Sequence, residues 1–318
     1  MINLNQLRAF YEMAKSLNFS AAAERLCVTQ PAVSKQIKYL EEYYDLKLFI
    51  KKGRMIELTD EGTKIFVYAK HIFESERHLE EIIIGMKSLR HGSLCIGTTK
   101  TYARYFILPL LSLFQSIFPN IIVELDEGSS LDMSKTLLDF KNSLVIVAKV
   151  ENDPGIKFIP LMVEEIVLIA SPNYSLIKRG SVCFSDLKNI PIVMKETGSG
   201  TRKLIEKKFA EYNLKPNTIA QSSNMEFIKQ MVIRNEAISF VVKRAVEDEL
   251  RNGHLISVDI IDTKLLLKIF VAYLSEYELP KIAKNFVDFV ISPSENKKLP
   301  VGMQEVLSRI SGSVNELI

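Results

Sequence analysis

The sequence predicts an α+β multidomain protein made of a small basic helical head, one long helix and a larger α/β remainder. Three observations carry this. A length of 318 residues, at roughly 150 per domain, leaves room for about two domains and a small module. Apolar residues recur at helical spacing up to Leu89, then give way after Ser93 to short apolar strands alternating with helices. The chain carries only +3 overall, yet seven Lys or Arg and three acidic residues lie between Arg25 and Arg54. A hydrophobic share of 47% and a charged share of 25% exclude a disordered or fibrous chain.

Leu4, Leu7, Phe10, Met13, Ala14 and Leu17 fall on one stripe of a first helix that Asn3 can cap. Ser20 is expected to cap a short second helix through Ala21, Ala22, Ala23 and Leu26. After the turn Cys27-Val28-Thr29, Gln30-Pro31 opens a third helix, where the N–H that proline lacks is not needed. Val33, Ile37, Leu40 and Tyr44 share its inner face. Pro31, Lys35 and Lys38 project from the opposite face, with Gln30 and Ser34 at the margin. Two helices across a tight turn, the second with a small, polar and basic outer face, form a helix-turn-helix suited to the DNA major groove. Leu48-Phe49-Ile50 and Met55-Ile56-Glu57-Leu58 flank Lys51-Lys52-Gly53-Arg54, a two-stranded wing whose basic tip can follow phosphates or the minor groove. The candidate DNA contacts are therefore Thr29, Gln30, Pro31, Ser34, Lys35, Lys38, Lys51, Lys52 and Arg54.

Thr59 can cap a long helix with Asp60 and Glu61 at its positive end. Ile65, Ala69, Ile72, Glu76, Leu79, Ile83 and Met86 form a heptad seam about 45 Å long, broken once by Glu76. A helix of that length is expected to pair with a second copy, and His91-Gly92-Ser93 marks its end and a hinge. Beyond it, Leu94–Gly97, Ile121–Leu125, Leu144–Val147, Ile166–Ile169, Ile190–Met194 and Ile238–Val241 read as strands of a parallel α/β pattern. Helices run to Phe118 and over Leu131–Phe140, Arg202–Tyr212 and Met225–Ile233, and Leu265–Leu274 is a late strand.

Ligands of open α/β sheets lie beyond the carboxyl ends of strands. Thr98-Thr99-Lys100 and Thr197-Gly198-Ser199-Gly200-Thr201-Arg202 each bring hydroxyls, free backbone N–H groups, a helix start and a cation together. This is how a protein holds a small carboxylate, phosphate or sulfate compound without a metal. The plainer alternative is that these residues only cap helices and turn the chain. Ser222-Ser223-Asn224 is a third, weaker candidate, for which capping is the favoured reading.

Enzyme signatures are absent: there is no GxGxxG, P-loop, HExxH or GxSxG. His71, His78, His91 and His254 are scattered, and the His71/His78 spacing is not that of a helical metal pair. Cys27, Cys95 and Cys183 lack CxxC spacing and read as buried, reduced thiols. No metal or cofactor is expected. The amino-terminal residues lack a secretion pattern and no apolar run approaches a membrane span, so the expectation is a cytoplasmic protein with no membrane partner. Residues Met303, Val306, Leu307, Ile310, Val314 and Leu317 form a weakly amphipathic tail helix. A competing class is a small-molecule-binding protein or enzyme with an accessory DNA-binding head, which binding without turnover would separate from a regulator.

Phe19-Ser20-Ala21-Ala22-Ala23 through Leu26, Val28-Thr29-Gln30-Pro31-Ala32-Val33-Ser34-Lys35-Gln36-Ile37, Leu40-Glu41, Leu48-Phe49, Arg54 and Leu58-Thr59 through Gly62 closely resemble the winged helix-turn-helix of LysR-type transcriptional regulators. The resemblance implies a DNA-binding domain over 1–62, a linker and dimerisation helix over 59–91, an effector-binding domain over 92–292 and a tail over 293–318. It implies that the effector domain is periplasmic-binding-protein-like, with two Rossmann-like lobes, lobe I about 92–162 and 266–292 and lobe II about 163–265. It further implies a transcriptional regulator that reads an inverted-repeat promoter site. Its partners would be double-stranded promoter DNA, other copies of itself as homodimer and homotetramer, and RNA polymerase. A small-molecule effector would bind between the lobes at Thr98, Thr99, Lys100, Thr197, Gly198, Ser199, Gly200, Thr201, Arg202 and Asn224. Asp45 stands where the family commonly has glycine and Lys51 where it has arginine. Arg234-Asn235-Glu236-Ala237 replaces a glycine-rich turn, and the segment from Lys141 to Ile146 lacks a common acidic residue. The Gly-Ser-Gly-Thr-Arg run resembles members that control carbon fixation or sulfur assimilation.

Overall fold

The computed structural model describes residues 1–53, 55–87, 92–174 and 181–291. It separates into two compact units, Met1–Glu80 and Glu81–Ile318. The predicted tail helix, the end of the long helix at 88–91 and His91 lie outside the described residues.

In the first unit, α1 (Leu4–Ser16), α2 (Phe19–Arg25) and α3 (Gln30–Tyr44) are followed by a hairpin of β1 (Phe49–Lys52) and β2 (Met55–Leu58), then by α4 (Asp60–Lys87). Asn3 caps α1 by accepting from the Asn5 and Gln6 N–H groups. Ser20 does not cap α2: the chain reverses two residues earlier, and Asn18 accepts from Ser20 and Ala21 N–H instead. Leu7, Phe10, Met13, Val33, Ile37, Leu40 and Leu48 close one core with Ala69 and Phe73 of α4. Tyr44, expected on the inner face of α3, is exposed because it stands at the last turn of the helix, beyond that core. Asp45 then ends α3 in the left-handed conformation (φ 49°), which a short polar side chain tolerates where glycine is commoner. Thr59 does cap α4, its Oγ1 accepting from Gly62 N–H at 2.8 Å.

The second unit runs β3 (Gly92–Thr98), α5 (Lys100–Tyr102), a π-helical turn at Ala103–Ile107, α6 (Leu108–Ile117), β4 (Ile121–Glu127), α7 (Ser130–Leu138), β5 (Leu144–Ala148) and β6 (Ile156–Ala170). It continues with β7 (Ser181–Val182), β8 (Pro191–Lys195), α8 (Gly200–Glu211), β9 (Asn217–Ser222), α9 (Met225–Ile233), β10 (Ser239–Val242), α10 (Glu247–Arg251), β11 (Ile256–Ile260), β12 (Leu266–Leu274) and α11 (Lys281–Ile291). The sheet is mixed, which corrects the parallel reading. β3 pairs in parallel with β4 and β5, but β12 returns antiparallel to β5 and β6, and β10 and β11 lie antiparallel to β6. β8 and β9 form a separate parallel pair. The expected strand at Ile166–Ile169 is only the end of β6, whose earlier part, with Pro160 and the Glu164-Glu165 pair, hides its strand pattern. β9 and β11 were not expected, because Asn217–Ser222 and Ile256–Ile260 are short and largely polar or flanked by loops.

β6 and β12 cross between two halves of this unit: the first half carries β3, β4, β5 and α11, the second β7 to β11. One apolar core, with Phe106, Phe114, Phe184, Phe209, Phe240 and Phe286 among its members, runs under both. Asn235 takes the left-handed turn (φ 64°) before β10, where the family resemblance leads one to expect glycine. The thiols are not uniformly buried: Cys95 is buried, Cys183 half-buried and Cys27 exposed, none of them in a disulfide. Cys27 lies in the tight α2–α3 turn at φ 53°, which leaves its side chain in solvent.

Candidate functional site

On α3, Val33, Ile37 and Leu40 anchor the inner face, so Gln30, Pro31, Ser34, Lys35 and Lys38 are presented outward with Thr29 ahead of them, all exposed. Their charges are not equally available. Lys38 pairs with Glu42 at 3.4 Å and Lys52 with Glu57 across the wing at 2.6 Å. Lys35 lies over the Tyr39 ring at 5.5 Å, and neither Lys35 nor Lys51 has an ion-pair partner among the described residues. Tyr39 is exposed on the same side of the helix and was not singled out from the sequence, where it reads as an ordinary aromatic. Arg54 lies outside the described residues, while Gly53 turns the wing at φ 62°.

Along α4 the seam divides. Ala69 is buried and Ile65 half-buried, whereas Ile72, Leu79 and Ile83 are exposed; Met86 lies where side chains are not described. Phe73, off the seam, fills the core instead, with the Arg8 guanidinium over its ring at 4.4 Å. Tyr68 and Ile72 border an apolar groove of about 290 Å³ that also reaches Ile2, Leu7, Leu40 and Tyr44.

In the second unit, the loop after β8 meets the loop after β4 and the end of β5, alongside the loop after β3. The Leu131 N–H donates to the Gly198 carbonyl at 3.1 Å, and a Cβ on Gly198 would lie 2.6 Å from Ser129 Oγ. A Cβ on Gly200 would overlap that of Ala148. Lys203 adds a side-chain bond to the Val150 carbonyl. Both glycines are thus required by close approach of the two halves, and Gly198 also by its φ of 85°.

Between these loops lies a cavity of about 20 Å³, lined by Thr99, Lys100, Thr101, Tyr102, Ser130, Lys195, Glu196, Ser199, Gly200 and Thr201 over a floor that includes Ala148, Val242 and Leu267. Ser130, Ser199 and Thr201 are buried, and their hydroxyls have no partner among the described residues. Thr99 caps α5, accepting from Tyr102 N–H at 3.4 Å. Lys195, also buried, reaches the Ser223 carbonyl at 3.2 Å and Glu196 at 3.1 Å. From the other half, Lys100 reaches Ser223 Oγ at 3.4 Å. Burial pushes the Tyr102 phenol well up, and the Glu164 charge adds to this, so Tyr102 remains a neutral hydroxyl beside the cavity.

The other sequence candidates are placed differently. Thr98 is fully buried and donates to the Ile146 carbonyl at 2.8 Å, holding β3 to β5 rather than lining the cavity. Thr197 is exposed on the loop. Arg202 does not line the cavity: its guanidinium donates to Glu206 at 2.7 Å, Gln221 at 2.5 Å and the Lys195 carbonyl at 3.3 Å. Asn224 caps α9 through Glu226 and Phe227 N–H and borders a neighbouring pocket. Sequence reasoning missed Ser130, Lys195 and Glu196. Lys195 sits at the end of an apolar strand, where alternation alone gives no sign that its amine turns inward.

Two family models match. The model described as bacterial regulatory helix-turn-helix protein, lysR family, covers residues 4–63, and the one described as LysR substrate binding domain covers 87–292. The HTH-type transcriptional activator CmpR of Synechocystis is 30% identical over 92% of this chain and 96% of its own. A crystal structure of full-length CbnR complexed with its target DNA superposes with a TM-score of 0.67 at 21% identity, covering 91% of this chain and 99% of that one. The effector binding domain of QuiR in complex with shikimate gives a TM-score of 0.59 at 25% identity over 66% of this chain and all of that domain, 100%. Among the described residues no helix is long and apolar enough to cross a membrane, and no metal-binding cluster occurs. Matched by helix-turn-helix at one end and effector-domain model over most of the rest, the chain belongs to the LysR family of transcriptional regulators, proteins that bind DNA and respond to small-molecule effectors.

Proposed function

We propose that this regulator reads an inverted-repeat promoter site as a dimer, assembling further to a tetramer, and that a small anion held between the two halves of its effector domain alters DNA binding. The domain plan is a DNA-binding domain over 1–62, a linker helix over 59–91 and an effector domain over 92–292 with two lobes. In the major groove, Gln30, Ser34 and Lys35 read base edges, while Thr29, Pro31, Lys38, Lys51, Lys52 and Arg54 set position on the backbone. The exposed Tyr68, Ile72, Leu79 and Ile83 on α4 supply the apolar surface for a second copy. RNA polymerase is the further partner this role implies, and the cytoplasm its compartment.

The anionic effector, a carboxylate, phosphate or sulfate compound, rests on one observation: Ser130, Ser199 and Thr201 present uncommitted hydroxyls to the cavity between Lys100 and Lys195. Their hydroxyl oxygens are not sealed from solvent, so they are open to donate to a ligand that enters the cavity. QuiR, bound to the carboxylate shikimate, supports the same ligand class. The relatives' role as regulators favours binding over catalysis. The test is calorimetric titration of acetate, sulfate and phosphate into the full chain and its Thr201→Val variant, followed by DNA binding with and without the tightest ligand. Binding weakened in the variant and coupled to DNA affinity is the expected result. An effector that binds both proteins equally, or proves uncharged, overturns the anion assignment and leaves the DNA-binding role standing.

A further inference from the structure

The inner cavity holds about 20 Å³, the space of roughly one water molecule. An organic acid can place no more than one oxygen-bearing head there, so its remaining atoms must leave through an opening. Lys100 and Thr101 line both this cavity and a neighbouring pocket of about 310 Å³, which also draws on Arg104 and Tyr105 from one half and on Ser223, Asn224, Glu226 and Lys229 from the other; the Glu226 carboxylate, the one acidic group of that lining, accepts from Gln230 at 3.0 Å.

The outer pocket has two features of its own. Lys100 and Arg104 stand four residues apart on successive turns, both exposed, and neither has an ion-pair partner among the described residues. Like charges at that spacing repel, a cost that an anion between them removes. Lys229 differs, because its amine is buried against Glu249 at 2.8 Å and it supplies a neutral wall. The second feature is the π-helical turn Ala103–Ile107, which carries Arg104, its guanidinium 5.3 Å from the Tyr105 ring centre. Such turns interrupt regular helices and recur at functional sites.

We propose that the outer pocket is a second anion subsite, and that the effector is a compact molecule with two acidic groups. One group enters the hydroxyl-lined cavity and the other is held by Lys100 and Arg104. Arg104 thereby sets specificity for two charges over one. This rests on the anion-binding reading of the inner cavity.

The experiment is isothermal titration calorimetry on the full chain with two sets of probes. Acetate and inorganic phosphate offer a single head group, while malonate, succinate, glutarate and phosphonoacetate offer two at increasing or mixed spacing. At least one two-headed probe should bind tenfold or more tightly than either single-headed one. In Arg104→Gln that ratio should fall toward unity, and Arg104→Lys, which keeps the charge, should restore part of it. The inference is overturned if single- and two-headed probes bind alike in the unmodified chain, or if Arg104→Gln leaves the ratio unchanged. Binding lost in Thr201→Val but indifferent to Arg104→Gln removes the outer subsite alone. Heats that ignore Thr201→Val, or no heat from any probe, remove the inner anion site and this inference with it.

Discussion

Gly200 faces Ala148 with no room for a methyl group between them. Ala148 ends β5 and Gly200 opens α8, so this contact sets how closely the two halves approach beside the cavity. Gly200→Ala should push them apart. Overpacking of this kind costs about 1–3 kcal/mol, and the variant should melt about 2–4 °C lower for each kcal/mol. Anion affinity should drop in the same variant, because Thr201 moves with the helix. Thermal melting with and without ligand reads both effects, and unchanged ligand affinity would show that the cavity does not depend on this contact.

Thr98 should behave oppositely to Thr201 at the start of α8. Thr98→Val removes the bond to the Ile146 carbonyl and should cost about 1 kcal/mol of stability. Thr201→Val removes a hydroxyl with no partner within the described chain, so it should leave the melting temperature nearly unchanged while weakening anion binding. Denaturant melts beside ligand titrations separate the two roles.

At the DNA face, Ser34→Ala should cost about 1–3 kcal/mol on the cognate site and relax base preference there. Lys51→Gln should weaken cognate and random duplexes alike and flatten the salt dependence by about one unit. Binding isotherms at several salt concentrations measure both. Equal losses on both DNAs for both variants would contradict the division between base reading and phosphate contact.

Ile72→Asp on α4 should shift the chain toward monomer in sedimentation velocity at micromolar concentration, since a carboxylate would be buried if that exposed apolar face meets another copy. An unchanged even-numbered assembly would place the self-contact elsewhere.

Glu164 gives a pH signature. It is buried on β6, and burial raises its pKa; Arg244 at 3.6 Å opposes this and Glu247 reinforces it. A carboxyl with a raised folded-state pKa binds its proton more tightly in the native chain, so stability is greatest below the ordinary carboxylate range and falls as pH rises through the raised value. Glu164→Gln should remove that slope. The melting-temperature difference between variant and unmodified chain should therefore grow in the variant's favour from pH 4 to pH 7, by roughly 2–4 °C for each kcal/mol involved.

The head was legible because its signals are local: a proline at a helix start, an Asn cap and apolar steps of three and four sit within a few residues of one another. Even there Asn18 outcompeted Ser20 as a cap, since backbone reversal decides which polar side chain meets the free N–H groups. The effector domain was legible only in part. The Gly198–Thr201 run could be picked out, but whether Arg202 turns toward the cavity depends on Glu206 and Gln221, one turn and one strand away. Ser130 and Lys195 reach the cavity through long-range pairing that no short window contains.

The return of β12 bears on how the protein can be made. Ile269 pairs with Ala148, and Leu266 with Glu165, so the middle of the sheet waits for a strand translated long after its neighbours. While the nascent chain is still emerging, β5 and the first part of β6 have open edges, the hazard that invites pairing with other chains. The head has no such dependence, since its whole core closes by Phe73. A ribosome stalled before Leu266 would thus release a head able to fold, tethered to a sheet that invites aggregation.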